Sequence, residues 1–355
     1  MNNYLLIIFI VLTSFYLTYF VYRFFKLVFH FYIPFIYMIC VYFLILYNSR
    51  FVLHFLELKS VIYLHVVAVS FILEIFYILL KKYKIIQYII PTGLLCCLIV
   101  SFIFGYGYYR MNHIVEKRYV VQSNKIDDFK IALISDMHMG VSIDQKKLKN
   151  ICQDISKQNV DIVVLDGDIF DENTSYDDMK VACQILGTIQ NQKGIYYVFG
   201  NHDSNHYTSM PAYVSADIEY ELEKNHIIVL NDETVTIDHI TIIGRGDAGY
   251  YQEDSRLNIE ELYTKQTQNY VIVLDHQPLD LQLNASLGVD LQLSGHTHGG
   301  QFFPQGLIQK MTSDTLVYGQ RQINGMIAIT TSGISGWRYP FKTGANSEYV
   351  IIEVE

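Results

Sequence analysis

Charge is scarce in this chain and unevenly placed. Only 17% of the 355 residues are Asp, Glu, Lys or Arg, while 51% are hydrophobic. Acidic residues nearly vanish from the front: residues 1–118 hold Glu57, Glu74 and Glu116 against ten Lys and Arg, a balance of +7. The remainder carries −16, and the two together give the net −9. This much apolar sequence excludes a disordered or fibrous chain. The split excludes one uniform domain, and the length itself predicts about two. The acidic second part lacks the basic stripe that tracks phosphates, so no nucleic-acid polymer is expected as a partner. Cysteine is sparse too. Cys40, Cys96, Cys97, Cys152 and Cys183 lack the paired spacing and histidine partners of a zinc site, and they define no redox compartment. Internal repeats and low-complexity segments are absent.

Long apolar runs fill the space that charge leaves. Tyr4–Tyr22, Leu27–Tyr47 and Ile85–Tyr109 carry no charged residue, and Ser60–Leu80 carries only Glu74. Each reaches the ~20 residues that a helix needs to cross ~30 Å of hydrocarbon. Backbone in lipid must satisfy its own hydrogen bonds, so the runs predict four spanning helices, an all-α membrane domain over residues 1–112. Pro34, Pro91 and Gly93 read as kinks within them. No Lys or Arg precedes the first run and no small-residue cleavage site follows it, so it does not read as a signal peptide. Arg23, Lys26, Lys81, Lys82 and Lys84 occupy the first and third connections. Arg50, Lys59, Arg110, Lys117 and Arg118 lie on the other side. The bias near the membrane favours the first set as cytoplasmic, which expects a multi-pass cell-membrane protein whose termini and second half face outward. Glu74 and His65 are ionisable groups inside a predicted span, and hence functional candidates. For Glu74 the plainer reading, a carboxylate reaching toward water or a partner, carries more weight.

After Arg118 the pattern turns to short β-rich runs: Ile131–Ile134, Ile162–Leu165, Ile195–Phe199, Ile227–Leu230, Ile240–Ile243, Val271–Leu274, Leu291–Leu293, Met326–Ile329 and Tyr349–Val354. Helical segments around 146–156 and 176–189 separate the first three, which predicts βαβ units in an α/β domain over residues 113–355. Five of these runs end in polar clusters. Ser135-Asp136-Met137-His138, Asp166-Gly167-Asp168 and Gly200-Asn201-His202-Asp203 follow the first three. Asp275-His276 and Gly295-His296-Thr297-His298-Gly299-Gly300-Gln301 follow two later ones. Ligands in open α/β sheets bind beyond the carboxyl ends of strands, so the five clusters should converge. Asp136, His138, Asp168, Asn201, His276, His296 and His298 offer three carboxylate or amide oxygens and four imidazoles, a donor set suited to manganese, iron or zinc. Seven such groups exceed one ion and suffice for two that share a carboxylate.

The order of these motifs resembles the calcineurin-like metallophosphoesterases, whose signature runs Asp-x-His, Gly-Asp, Gly-Asn-His-Asp/Glu, His, Gly-His-x-His. The Gly-His-Thr-His-Gly-Gly-Gln ending is similar to the bacterial membrane-associated branch. The resemblance covers about residues 114–355 and leaves the four helices to hydropathy alone. It implies a four-layer α/β/β/α sandwich with Asp136, His138 and His298 on one divalent ion. Asn201, His276 and His296 would hold the second, with Asp168 bridging. It also implies a hydroxide made between two ions ~3.5–4 Å apart, attacking a phosphate ester or pyrophosphate in line. His202 would be the general acid on the leaving oxygen, and Asp203 either orients it or shapes the turn. Tethering makes a lipid-linked or envelope phosphate an attractive substrate, with the bilayer itself as a partner. The competing readings are a broad extracellular nucleotide phosphodiesterase and a non-catalytic membrane scaffold. The Gly244-Arg245-Gly246-Asp247-Ala248-Gly249 run reads as a strand-end turn, because no clear helix follows it. His206, Arg245 and Arg338 are expected to be solvated, and Trp337 either lines the mouth of the site or caps the core.

Overall fold

The computed structural model describes residues 3–49, 58–126, 128–203, 207–249, 256–263 and 268–355. These form two compact units, Met1–Tyr106 and Gly107–Glu355. The first unit is helical: α1 (Asn3–Val28), α2 (Phe35–Ser49), α3 (Leu58–Leu80), α4 (Lys84–Ile89) and the start of α5 (Leu94–Asn112). Among the described residues, three helices are long and apolar enough to cross a membrane, over Ile7–Val28, Leu58–Leu80 and Leu94–Asn112, and a shorter apolar helix covers Phe35–Tyr47.

Two expected spans are therefore revised. The second run does not form one helix from Leu27 to Tyr47. Its first residues extend α1, the five residues before Pro34 leave the helix, and α2 begins at Phe35. The fourth run divides at Pro91 and Gly93, where Gly93 takes φ +75°, into α4 and α5. A proline ring clashes with the carbonyl one turn back and removes a donor, so these prolines break the helices where kinks were expected. The two intramembrane candidates also find partners. Glu74 pairs with Arg23, whose guanidinium lies 5.5 Å from the centre of the Tyr19 ring. His65 Nδ1 lies 2.7 Å from the Val61 carbonyl, within its own helix.

The second unit opens with the last residues of α5 and continues as β1 (Val115–Val121), β2 (Phe129–Ile134), α6 (Gln145–Ser156), β3 (Ile162–Asp166), α7 (Tyr176–Leu186), β4 (Ile195–Val198), α8 (Ser215–Lys224) and β5 (Ile227–Val229). There follow β6 (Glu233–Ile237), β7 (Ile240–Gly244), α9 (Ile259–Leu262), β8 (Tyr270–Leu274), α10 (Leu281–Leu287) and β9 (Leu291–Ser294). The chain closes with α11 (Gln305–Thr312), β10 (Gly319–Ile323), β11 (Met326–Thr330) and β12 (Glu348–Val354). Two six-stranded sheets result, ordered β1-β12-β2-β3-β4-β5 and β10-β11-β9-β8-β7-β6. The strands β2 to β5 run parallel, as do β7, β8, β9 and β11.

The expected four layers follow from which faces are apolar. Ile131, Leu133, Ile162 and Val164 of the first sheet meet Ile242, Ile272, Leu274 and Leu291 of the second in one buried cluster. The outer face of the first sheet packs on α6 through Leu148, Ile151, Cys152 and Ile155, a spacing that keeps one helix face inward. Asp144 caps that helix by accepting from the Lys147 amide at 2.7 Å. On α7 the same face holds Met179, Ala182, Cys183 and Leu186. Both cysteines of this unit thus sit on the buried side of surface helices. The second sheet is covered by α9 and α10 through Ile259, Leu281 and Ala285.

Candidate metal centre

All nine apolar runs become strands, and five of them deliver the predicted side chains to one place. Asp136 and His138 follow β2, Asp168 follows β3, and Asn201 and His202 follow β4. From the second sheet, His276 follows β8, and His296 and His298 follow β9. Parallel neighbours share a carboxyl edge, and the face-to-face packing of the sheets sets the two edges against each other.

The backbone there is bent into an unusual state. Asp136, His138, Asp168, His296 and His298 all have positive φ, between 42° and 68°. A residue with a Cβ in this region costs of order 1–3 kcal/mol, which the surrounding structure must offset. Five of the seven expected ligands carry that strain, at the strand ends where their donor atoms come together. Gly295 lies so close to Ser135 and Asp136 that a Cβ would overlap both, so the two edges can meet only at a glycine.

Two triads of donor atoms result. One ligand atom each from Asp136, His138 and His298 lie within 4.8 Å of one another, and so do those of Asp168, His276 and His296. In the first triad His138 Nε2 faces His298 Nε2 at 3.3 Å, and Asp136 Oδ1 lies 3.5 Å from His298 Nε2. Burial, then the neighbouring His138 and Lys342, hold His298 well below the usual imidazole range. A neutral imidazole presents a lone pair, so nitrogens and a carboxylate oxygen aimed at one point fit a divalent cation. In the second triad Asp168 Oδ2 lies 3.0 Å from His276 Nε2. That same oxygen is 3.9 Å from His138 Nε2 in the first triad, so Asp168 stands between the groups. Burial opposes its charge, yet His276, His202 and His138 keep its carboxyl well below the usual range. Asn201 Oδ1 joins the second group, 2.8 Å from His296 Nδ1.

His202 stands beside the triads. Its ring lies 5.3 Å from that of His138, and its amide donates to Asp168 Oδ1 at 2.8 Å. Burial works against its protonation, but Asp168 and Glu172 raise it above the ordinary imidazole value. Its Nδ1 meets Glu172 Oε1 at 2.6 Å. Asp203 does something else: its carboxylate accepts from the amides of Asp168, Phe170 and Gly200 at 2.7, 2.9 and 2.7 Å. Of the two expected roles, Asp203 shapes the turn and Glu172 orients the histidine.

Sequence reasoning missed Glu172 and also Asp171, whose Oδ2 lies 3.5 Å from His138 Nδ1. Both sit three to four residues beyond the Gly-Asp pair, and their acidic run was the available signal. Trp337 lines the site, with its ring 5.1 Å from that of His202. Gln301 grips it from both sides, accepting from the Trp337 amide and donating to its carbonyl, each at 3.0 Å. Arg338 is exposed as expected, but Arg245 is not. It is only 3% exposed and donates to the Leu257 carbonyl at 2.8 Å. His206 lies outside the described residues.

A four-layer α/β/β/α sandwich with two nitrogen-and-oxygen donor triads at its converging strand ends defines a dinuclear metal-binding class. Residues 129–300 match the sequence model of calcineurin-like phosphoesterases. It is 30% identical over 238 residues to an uncharacterized metallophosphoesterase of Helicobacter pylori, across 65% of this chain and 61% of that one. It is 26% identical to the metallophosphoesterase YkuE of Bacillus subtilis, across 71% and 90%. A transmembrane protein with metallophosphoesterase domain from Danio rerio is 27% identical, across 63% and 52%. The chain thus spans about three fifths of the length of the Helicobacter relative and half that of the fish protein.

Proposed function

We propose that this protein is a membrane-anchored dimetal phosphoesterase, with a membrane domain over residues 1–112 and a catalytic domain over 113–355. The observation that carries this reading is the convergence of seven buried or half-buried donor side chains from five strand ends. Asp136, His138 and His298 would hold one divalent ion. Asn201, His276 and His296 would hold the other, with Asp168 between them and manganese, iron or zinc suited to the set. When bound, the two ions supply an activated water and neutralise charge on the phosphoryl oxygens. The chain's own residues do the rest. Glu172 holds the His202 ring by its Nδ1 and favours the protonated form, which leaves Nε2–H free to donate to a departing oxygen. A scaffold that had abandoned catalysis has no need of a complete ligand set with a supported acid beside it.

The anchoring is read from the first unit. Thr13 Oγ1 meets the Tyr63 hydroxyl at 2.6 Å, and ten residues along α1 Arg23 meets Glu74. These contacts advance in the same direction along α1 and α3, so the chain between them has to return, and α2 is the described helix available for it. Four crossings with Arg23, Lys26 and Lys81 on the cytoplasmic side put the catalytic domain outside the cell. There a lipid-linked or envelope phosphate is the substrate class favoured.

Asp168→Asn is the decisive variant. It should lower the content of both ions, read by elemental analysis, and abolish hydrolysis across a panel of lipid phosphates, nucleotides and aryl phosphates. Full metal content with normal turnover would end the dimetal reading. A wild-type preference for nucleotides over lipid phosphates would reverse the substrate class.

A further inference from the structure

The second unit carries an apolar surface that the chemistry of the site does not use. Helix α11 has no buried residue. Phe303, Leu307, Ile308 and Met311, on it and just before it, are 65%, 52%, 54% and 78% exposed. Contiguous exposed apolar side chains on a folded domain mark an interaction surface. From Gln301 to Ser313 there is no acidic residue, and the one charge is Lys310 in the last turn.

Two sets of contacts place this surface. Toward the chain's entry from α5, the Lys342 amide donates to the Gly107 carbonyl at 3.1 Å, and Arg110 Nη1 donates to the Thr343 carbonyl at 2.9 Å. Thr343 Oγ1 in turn accepts from the Phe303 amide at 2.9 Å. One residue therefore links the last turns of an apolar, membrane-length helix to the start of the exposed patch. Toward the metal centre, Gly300 and Gly306 approach so closely that a Cβ on Gly300 would overlap the Gly306 backbone. The helix is thus seated directly on the loop that carries His296 and His298.

We propose that Phe303 and α11 form an interfacial element that dips into the same bilayer the apolar helices of this chain occupy. The occupant is the lipid surface, for three reasons on this molecule. The patch adjoins the end of a membrane-length helix, so covalent geometry holds it near the membrane. Its apolar side chains project from a short helix whose single charge is a lysine, which suits an anionic headgroup layer. Its other side is fixed to the metal-ligand loop, so docking sets the site against headgroup phosphates. The last point rests on the phosphoesterase reading; the first two do not.

The test uses the full chain in nanodiscs of phosphatidylethanolamine and phosphatidylglycerol. A photoreactive benzophenone amino acid introduced at Met311 should form covalent adducts with lipid acyl chains, read by mass spectrometry. The same group at Tyr220, exposed on α8, should form none. Absence of lipid adducts at Met311, or cross-links there to a second copy of the chain, overturns the docking proposal. In a second arm, Leu307→Asp with Met311→Asp should lower turnover of a nanodisc lipid phosphate tenfold or more and leave a soluble aryl phosphate unchanged. An equal loss on both substrates overturns the substrate-presenting role. If no phosphate ester is hydrolysed by the unmodified chain, the phosphoesterase reading falls, while the adducts still decide docking.

Discussion

His202 and Glu172 act as a pair, and their roles separate experimentally from metal binding. Proton donation to a leaving oxygen is typically worth ~10²–10⁴-fold. An alkoxide needs that proton, whereas a nitrophenolate departs without it. His202→Ala should therefore slow an alkyl phosphate far more than a nitrophenyl phosphate, with metal content unchanged. Glu172→Gln should show the same bias at smaller size, because the amide still contacts the ring but brings no charge. Equal losses on both esters would reassign His202 to positioning the ligands. A second residue-scale expectation concerns Lys342, which is fully buried with its Nζ within hydrogen-bond reach of the carbonyls of Ser332, Gly333 and Ser335. Burial pushes its ammonium down to about 7 from 10.5. Between those values the unfolded chain holds the proton and the folded chain does not, so stability contributed by this group rises with pH. The rise approaches about 1.4 kcal/mol per pH unit within that window and levels off outside it. Thermal unfolding of the full chain from pH 7 to 10 should show the upward trend, and Lys342→Met should flatten it. Parallel curves for the two proteins would contradict the assignment.

At the scale of elements, the strands that sequence reading overlooked share one property. β1, β6 and β10 all lie at sheet edges. Their sequences, such as Gly319-Gln320-Arg321-Gln322-Ile323, bury little, so no apolar run announces them. Pairing with a neighbour creates them, and propensity alone does not. The membrane helices erred the other way. Hydropathy measures how apolar a run is and is blind to a chain break inside it, so Pro34 and Pro91 were absorbed into continuous spans. The Arg23–Glu74 pair gives the first unit its test. Leaving one charge unpaired in an apolar surrounding costs more than removing both. Arg23→Met or Glu74→Leu alone should lower the unfolding temperature of the reconstituted protein, and the double variant should recover much of it. If the double variant falls by the sum of the single losses, the pair contributes no coupling.

For the molecule as a whole, sidedness is the open quantity that one label can fix. Asn173 is exposed on the loop after the second metal motif. Cys152 and Cys183 are buried, and burial pushes both thiols up to about 12, so they stay unreactive in the folded protein. Asn173→Cys should therefore be the reactive position of the catalytic domain. An impermeant maleimide should label it on intact cells if the domain faces outward. Labelling that appears only after lysis places the domain in the cytoplasm.

The sequence by itself determined the chemistry and the layer order of this protein. Strand cores read as apolar runs because both faces of a central strand are buried, and the candidate ligands read as motifs because each follows its strand within four residues. Only the tertiary structure decided which acidic residue supports His202, that Asp203 serves the turn, and that Arg245 is buried. Those outcomes depend on contacts between segments far apart in the chain, such as Glu172 with His202 or Asp203 with Phe170. The exposed apolar face of α11 is of the same kind, since whether an apolar residue is covered is settled by what packs against it.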